Sequence, residues 1–264
     1  MTRPRRRPAR RPPRNSTRRP TRSAARRASR QGWTSLGIIA ALCLLLLGFL
    51  HFRNRPQDLP WTDLDLGQPV GWFTGTKLAA LDRDYPLCRQ LLTQAGVRFA
   101  ELEPIEKGRC GYEDAIRLEP GGARTIGFYP DKPGMACPVA AALSMWEWNV
   151  VQPAAIRHFG SRVKTFEHFG TYNCRPIAGT ETLSQHSYAR AIDIAGFELA
   201  DGTRITIARD WTGNDEKAAF LRDVRDGACR LFATTLSPDY NPAHHDHLHL
   251  DEQPRGATGW NACR

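Results

Sequence analysis

Residues 1–32 contain no Lys, Asp or Glu, although they contain 13 Arg. They also have almost no large apolar side chains, so this segment cannot bury a core and is predicted to be disordered. The rest of the 264-residue chain carries 24 basic and 27 acidic residues. The formal net charge of +10 therefore describes a basic tail joined to a slightly acidic body.

The chain also lacks a C-x-x-C pair and an internal repeat. The first absence argues against a zinc site built from cysteines, and the second argues against a repeat architecture. Apart from Cys43, six cysteines remain, and an even number predicts three disulfides in an oxidising compartment. The connectivity stays open, and proximity along the chain offers a guess: Cys88–Cys110, Cys137–Cys174 and Cys229–Cys263.

One long uncharged apolar run is present, at residues 34–50. With Trp33 and Phe52 at its edges it reaches roughly 20 residues, the length of a transmembrane helix. Because Arg is dense before the run and sparse after it, the N-terminus is predicted to be cytoplasmic and the remainder exported. No small-x-small cleavage site follows, which favours an uncleaved single-pass anchor over a signal peptide.

The Arg-rich tail has two interpretations. It could bind phosphates of nucleic acid or anionic lipid, or it could mark the cytoplasmic side of the membrane helix. The second is favoured because a membrane segment follows directly, so no nucleic-acid partner is predicted. The predicted divisions are a disordered tail at 1–32, a transmembrane helix at 33–52, a linker at 53–75 and one domain at 76–264.

The domain combines helical and strand patterns, which predicts an α+β fold with an antiparallel sheet flanked by helices. Asp201-Gly202 is a hairpin turn signal between two of the strands. Pro153 is expected to end or kink the second helix. The predicted helices cover residues 76–100, 138–151 and 214–233, and the predicted strands cover 162–167, 191–199, 203–208 and 247–251.

Two segments carry the residues with the clearest chemistry: Ser184 to Asp193, and His244 to His249. Strand residues two apart share a face, so His247 and His249 can face one pocket. A loop carrying His186 that enters the strand near Ala191 would bring His186 beside Asp193. Two imidazoles and a carboxylate suit Zn²⁺ with a fourth position open, and a role without metal is the alternative.

The pattern S-x-H-x(6)-D followed by H-x-H resembles the LAS-type metallopeptidases, which include D-alanyl-D-alanine carboxypeptidases, peptidoglycan endopeptidases and the hedgehog signalling domain. The wider pattern resembles the bacterial extensin-like C-terminal domain family over roughly residues 85–264. The other matching segments are Cys137-Pro138, Val151 to Ala154, Tyr172 to Arg175, Leu183 to His186, Ala191 to Ile194, Asp210-Trp211 and His244 to Asp251.

The resemblance implies a role for each matching residue. His247 would lie beside the metal and assist catalysis, Arg175 would bind substrate or stabilise negative charge, and Ser184 would support the His loop and the substrate site. The implied zinc ligands are His186, Asp193 and His249.

The general base departs from the pattern of several relatives, which use a Glu a few residues before the last ligand. Residues 243–246 contain no Glu, so His244 or His247 would serve instead. Asp246 and Asp251 are expected to be surface residues or to orient a ligand. His158 and His168 are expected to be hydrogen-bonded residues outside the site.

The resemblance and the predicted topology together imply a zinc-dependent peptidase or amidase that hydrolyses peptide bonds of peptidoglycan. Its expected place is the bacterial inner membrane, spanned once by residues 33–52, with the C-terminal domain in the periplasm. The alternative is a non-catalytic, metal-stabilised module that binds the cell envelope. The oligomeric state, the bond cut and the choice among Zn²⁺, Mn²⁺ and Co²⁺ stay open.

Overall fold

The computed structural model describes residues 22–253 and 261–264. The chain divides into two compact units, residues 1–51 and 52–264. The first contains most of helix α1 (Arg22–Asn54). Within α1, Leu36–Arg53 has a mean hydropathy of 2.2, so by length and composition it could cross a membrane. A signal sequence near the N-terminus meets the same criteria.

The predicted tail needs one correction. Residues 1–21 lie outside the described residues, but residues 22–32, expected to be disordered, are helical because α1 begins at Arg22. Ala24, Ala25 and Ala28 favour helix in this stretch, which has no proline before the apolar run.

The second unit holds the remaining elements, with several short 3₁₀ turns between them. The helices are α2 (Thr74–Ala80), α3 (Tyr85–Gln94), α4 (Cys137–Trp146), α5 (Gln152–Phe159), α6 (Ile207–Asp210) and α7 (Glu216–Ala228). The strands are β1 (Val97–Glu101), β2 (Ile105–Lys107), β3 (Cys110–Tyr112), β4 (Ala115–Gly122), β5 (Gly127–Tyr129), β6 (Gly134–Ala136), β7 (Val163–Gly170), β8 (Ala191–Leu199), β9 (Arg204–Thr206), β10 (Thr234–Leu236), β11 (Leu248–Asp251) and β12 (Ala262–Cys263).

The largest sheet has the order β12-β10-β11-β8-β7-β5, with β9 paired to β8. The α+β class is confirmed, and the central pairs β10–β11, β11–β8 and β8–β7 are antiparallel as predicted. The outer pairs β5–β7 and β10–β12 are parallel, so the sheet is mixed. Long connections allow this, because the chain from β5 to β7 passes through β6, α4 and α5 before it returns.

The core lies on one face of this sheet, where α4 is buried along its whole length. Trp146 at the end of α4 stacks on Phe166 of β7 with ring centroids 5.4 Å apart. Its indole Nε1 donates to the carbonyl of Val224 at 2.9 Å, which satisfies the polar atom inside the core. Ile192 and Ile194 are fully buried on either side of Asp193, so the apolar face of β8 anchors the strand while Asp193 faces the other way.

The helical predictions differ from the structure at their ends. The first one stops at Gln94. Residues 97–100, predicted as helix, belong to strand β1, because Gly96 turns the chain with φ +74°. The second predicted helix begins as α4 and continues beyond Trp146, and it does not end at Pro153. A π-helical turn at Glu147–Val151 leads into α5, and the N–H of Gln152 donates to the carbonyl of Glu147.

Two further predicted ends were wrong. The strand predicted to residue 208 ends at Thr206, where α6 begins, and the helix predicted to residue 233 ends at Ala228. Most strands between residues 97 and 136 are too short to show a period of two, so they were missed. Residues 53–75, predicted as a linker that packs late, contribute Leu64, Leu66 and Val70 to the core.

The cysteine pairing was predicted correctly for Cys229–Cys263 and wrongly for the other four residues. The structure pairs Cys88 with Cys137 and Cys110 with Cys174. Cys88 lies on α3, which packs against the start of α4, so its nearest partner is far along the chain. Cys43 in α1 is free and exposed.

Candidate metal centre

Two neighbouring strands and a short turn position the three predicted ligands. Asp193 of β8 and His249 of β11 are directly opposite in the antiparallel ladder, so both side chains project from the same face. His186 lies in the 3₁₀ turn Gln185–Tyr188. Ser184 caps this turn, because its hydroxyl accepts from the N–H of His186.

The three side chains are buried and converge on one point. His186 Nε2 lies 3.2 Å from His249 Nδ1 and 3.1 Å from an Asp193 oxygen. His249 Nδ1 lies 2.9 Å from the other Asp193 oxygen. Such separations suit donor atoms that share one cation, since metal–donor distances of about 2.0–2.2 Å place neighbouring ligands slightly over 3 Å apart.

The outer nitrogen of each imidazole is held by an acceptor. His186 Nδ1 lies 3.0 Å from the carbonyl oxygen of Thr171, and His249 Nε2 lies 3.1 Å from the Asp251 carboxylate. With a metal bound, an N–H donated to each acceptor would leave the lone pair of the inner nitrogen facing the centre. This arrangement is the one that orients metal-binding histidines in proteins. Asp251 therefore holds the ring of His249, a candidate ligand, which agrees with one of the two roles expected for Asp251.

The electrostatics of the three residues fit a site that attracts a cation. Burial alone would raise the pKa of Asp193, but hydrogen bonds from His186 and His249 hold it well below its ordinary value. Burial alone would lower the pKa of His249, but Asp193 and Asp251 raise it to about 9. Without a metal, a proton on His249 Nδ1 offsets the carboxylate charge. A metal ion at the centre would replace that proton.

Both predicted bases lie beside the cluster. His247 Nε2 is 3.6 Å from Asp193, and its Nδ1 is 2.9 Å from Asp246. The ring of His244 lies 5.1 Å from that of His247 and 5.9 Å from that of His249. Burial and the neighbouring imidazoles lower the pKa of His244 to about 4, so this residue is neutral at pH 7.

The remaining predicted residues have separate places. Arg175 is exposed and lines the cavity of about 560 Å³ that contains Asp193 and His249. Ser184 also lines it. We call this space the metal cavity. His245 is exposed, with 72% of its side chain accessible, and it is not among the residues that line the metal cavity.

His158 and His168 lie outside the centre, as predicted. His158 bridges Glu216 and Asp223 of α7, and His168 binds the carbonyl of Pro130 at 2.8 Å.

Sequence reasoning missed three residues of the centre. The carbonyl of Thr171 carries no side-chain signal. Phe169 and Tyr240 are exposed aromatic residues at the rim, with rings 5.9 Å from His247 and 5.6 Å from His244, respectively. Asp251, by contrast, was among the residues expected to orient a ligand. Its signal is its position two residues beyond His249 on the same strand face.

Comparison with known proteins gives one match. Residues 86–264 match the family described as extensin-like protein C-terminus. No curated protein and no solved structure is significantly similar to the chain. The matched region begins in α3 and includes the three converging side chains, both candidate bases and Arg175. Since it covers most of the chain, the protein belongs to the extensin-like C-terminal family.

Proposed function

We propose that this protein is a membrane-anchored, periplasmic zinc-dependent peptidase or amidase that hydrolyses peptide bonds of peptidoglycan. One observation carries the proposal: His186, Asp193 and His249 direct three donor atoms at one point, and acceptors hold the outer nitrogens of both imidazoles. That donor set of two nitrogens and one carboxylate matches catalytic zinc sites, which keep a position open for water or substrate.

Zinc bound by these residues would polarise the substrate carbonyl and lower the pKa of a coordinated water to about 7. His247 is suited to accept a proton at Nε2, because Asp246 accepts the hydrogen of Nδ1. Asp246 therefore fixes the tautomer of His247. Arg175 lines the same cavity and would bind a substrate carboxylate or stabilise the developing oxyanion.

The location is proposed from charge and cysteine chemistry. The Arg-rich segment before the apolar run at residues 34–50 and the sparse basic residues after that run favour a cytoplasmic N-terminus. Three disulfides in the second unit fit an oxidising compartment such as the bacterial periplasm. Peptidoglycan is the abundant amide-rich polymer in that space, so its peptides are the proposed substrate and partner.

A second candidate function is a metal-stabilised envelope module without catalytic activity. The observation that favours it is the absence of a Glu between residues 243 and 248. In this case His186, Asp193 and His249 would bind zinc to stabilise the fold, and the metal cavity would bind envelope peptides without cleaving them. Both candidate functions require bound metal, but only the hydrolase releases a cleavage product.

The test uses the purified full chain in detergent. Metal content is measured by mass spectrometry, and muropeptides are then digested and separated by chromatography with and without chelator. We expect about one zinc per chain and new peaks that the chelator abolishes. His186→Ala should lose both the zinc and the peaks, whereas the exposed control His245→Ala should keep both.

The outcomes separate the two candidates. Zinc with an unchanged digest would favour the binding module over the hydrolase. A folded, metal-free His186→Ala protein with full activity would end the proposal of a metal-dependent enzyme.

A further inference from the structure

A second cavity, of about 850 Å³, lies on the domain and shares no lining residue with the metal cavity. The β2–β3 hairpin forms one wall, and residues Asp82 to Pro86 and Tyr188 to Arg190 contribute to the others. We call it the hairpin cavity. Its volume falls within the range of small-molecule sites, about 300–1,000 Å³.

The hairpin cavity is lined by both aromatic and acidic side chains. Three tyrosines, Tyr85, Tyr112 and Tyr188, line it together with two partly buried carboxylates, Asp82 and Asp114. Tyrosines offer an apolar ring and a polar tip. Carboxylates accept hydrogen bonds from hydroxyl groups.

Arg190 organises one side of the hairpin cavity. Its Nε lies 2.8 Å from Asp82, and its guanidinium carbon lies 5.8 Å from the centroid of the Tyr188 ring. A guanidinium paired with a carboxylate presents donors and an acceptor side by side. That pairing complements adjacent hydroxyl groups, each of which both donates and accepts.

The charges of the lining residues nearly cancel. Arg83, Arg109 and Arg190 oppose the acids Asp82, Glu106, Glu113 and Asp114. A strongly charged ligand of either sign would meet like charges at this site, which costs binding free energy. Burial also raises the pKa of Asp82 and of Asp114. A neutral, hydroxyl-rich ligand fits the balance better than an anion or a polycation.

The hairpin cavity is held close to the metal centre by two short connections. The turn Gln185–Tyr188 carries both His186 of the metal centre and Tyr188 of the hairpin cavity. The disulfide Cys110–Cys174 ties the hairpin to the residue before Arg175. A ligand with two chemically different parts could therefore occupy both cavities at a fixed spacing.

From this arrangement we infer that the hairpin cavity is a saccharide-binding subsite for a neutral sugar of a glycan chain. In combination with the proposed function, the sugar would lie in the hairpin cavity while an attached peptide enters the metal cavity. Sugar binding itself requires neither the metal nor hydrolysis.

The test is calorimetric titration of the full chain in detergent with a tetramer of β-1,4-linked N-acetylglucosamine, in the presence of chelator. We expect binding that Tyr188→Ala and Asp114→Asn each weaken about tenfold, because each removes one contact from a different wall. The control Tyr129→Ala, at an exposed tyrosine of β5 outside both cavities, should bind like the unmodified protein. Equal melting temperatures would show that the variants are folded.

Two results would overturn the inference: no heat of binding at millimolar tetramer, or binding that neither Tyr188→Ala nor Asp114→Asn weakens. The same protein is tested for muropeptide hydrolysis without chelator. Tetramer binding without hydrolysis would sustain the subsite while the peptidase proposal fails. Hydrolysis without tetramer binding would support the peptidase proposal while the saccharide subsite fails.

Discussion

The Arg124–Glu147 pair and the cluster of His186, Asp193 and His249 both bury charged side chains, and the charges are compensated in different ways. Arg124 and Glu147 form an ion pair at 2.7 Å with both side chains almost fully enclosed. Glu147 also accepts from the N–H groups of Thr125 at 2.7 Å and Ile126 at 3.1 Å. Its negative charge is therefore compensated entirely by the protein.

In the cluster of His186, Asp193 and His249 the carboxylate is compensated by a proton on His249, and the described residues supply no separate Arg or Lys partner. Its inner atoms face one another across about 3 Å, and its outer nitrogens are already held by Thr171 and Asp251. Only a proton or a metal ion at the centre can compensate the carboxylate. The comparison shows that a buried charge with its own partner supports the fold, whereas donor atoms that converge on one point indicate a ligand.

Breaking the ion pair should give the largest effect. Glu147→Leu leaves Arg124 buried without its carboxylate, which typically costs about 3–5 kcal/mol. We expect the free energy of unfolding to fall by that amount whether or not zinc is present, as measured by urea denaturation. The double variant Arg124→Met with Glu147→Leu should recover much of the loss. Equal losses in the single and double variants would contradict an ion-pair role.

Removing a ligand should instead eliminate a stabilisation that depends on zinc. Zinc at a hundredfold excess over its dissociation constant should stabilise the metal-free protein by about 2.7 kcal/mol. His249→Ala should abolish that increase, and His245→Ala should preserve it. Thermal unfolding with and without zinc measures both. An identical zinc response in the two variants would place the metal elsewhere.

Loosening the orientation of a ligand should have a smaller effect. Asp251→Ala removes the acceptor of His249 Nε2, and such changes weaken metal affinity about 10- to 100-fold. Asp251→Asn keeps an acceptor oxygen and should lose less. Competition with a chromogenic chelator gives the affinities. Unchanged affinity in Asp251→Ala would show that the strands alone orient His249.

Glu252 extends the comparison, because it is a buried acid with which no cation among the described residues is paired. Burial, followed by the charge of Asp251, raises its pKa well above the ordinary value. The folded state then keeps a proton on Glu252 that the unfolded state releases above about pH 4.3. The free energy of unfolding therefore falls as the pH rises from that value towards the raised pKa of the folded state. The free energy of unfolding should therefore be lower at pH 6 than at pH 5.

Glu252→Gln should remove that pH dependence, because glutamine is neutral at every pH in the range. The metal-free protein is compared with Glu252→Gln by urea denaturation at pH 5 and pH 6, with the exposed Glu103→Gln as control. The advantage of Glu252→Gln should grow at the higher pH. A constant difference between the two proteins would mean that Glu252 is ionised in the fold.

Much of the candidate site was predictable, because its signals are local. The spacing within residues 184–193 and 244–249 predicted that His186 could meet Asp193 and that His247 and His249 share a face. The family resemblance selected His249, and the structure brings it together with His186 and Asp193. The α+β class followed from helical and alternating patterns. The strands between residues 97 and 136 were missed because most have only three residues.

The amino-acid sequence by itself predicted an apolar helix long enough for a membrane, three disulfides and a His–Asp–His donor set. These features follow from residue types and short spacings, which act within a few residues of one another. The tertiary structure decided the Cys88–Cys137 and Cys110–Cys174 pairing, the use of the Thr171 carbonyl and the hairpin cavity. Each of these features depends on segments that are far apart along the chain and meet only when the core packs. Local sequence patterns do not determine which distant segments meet.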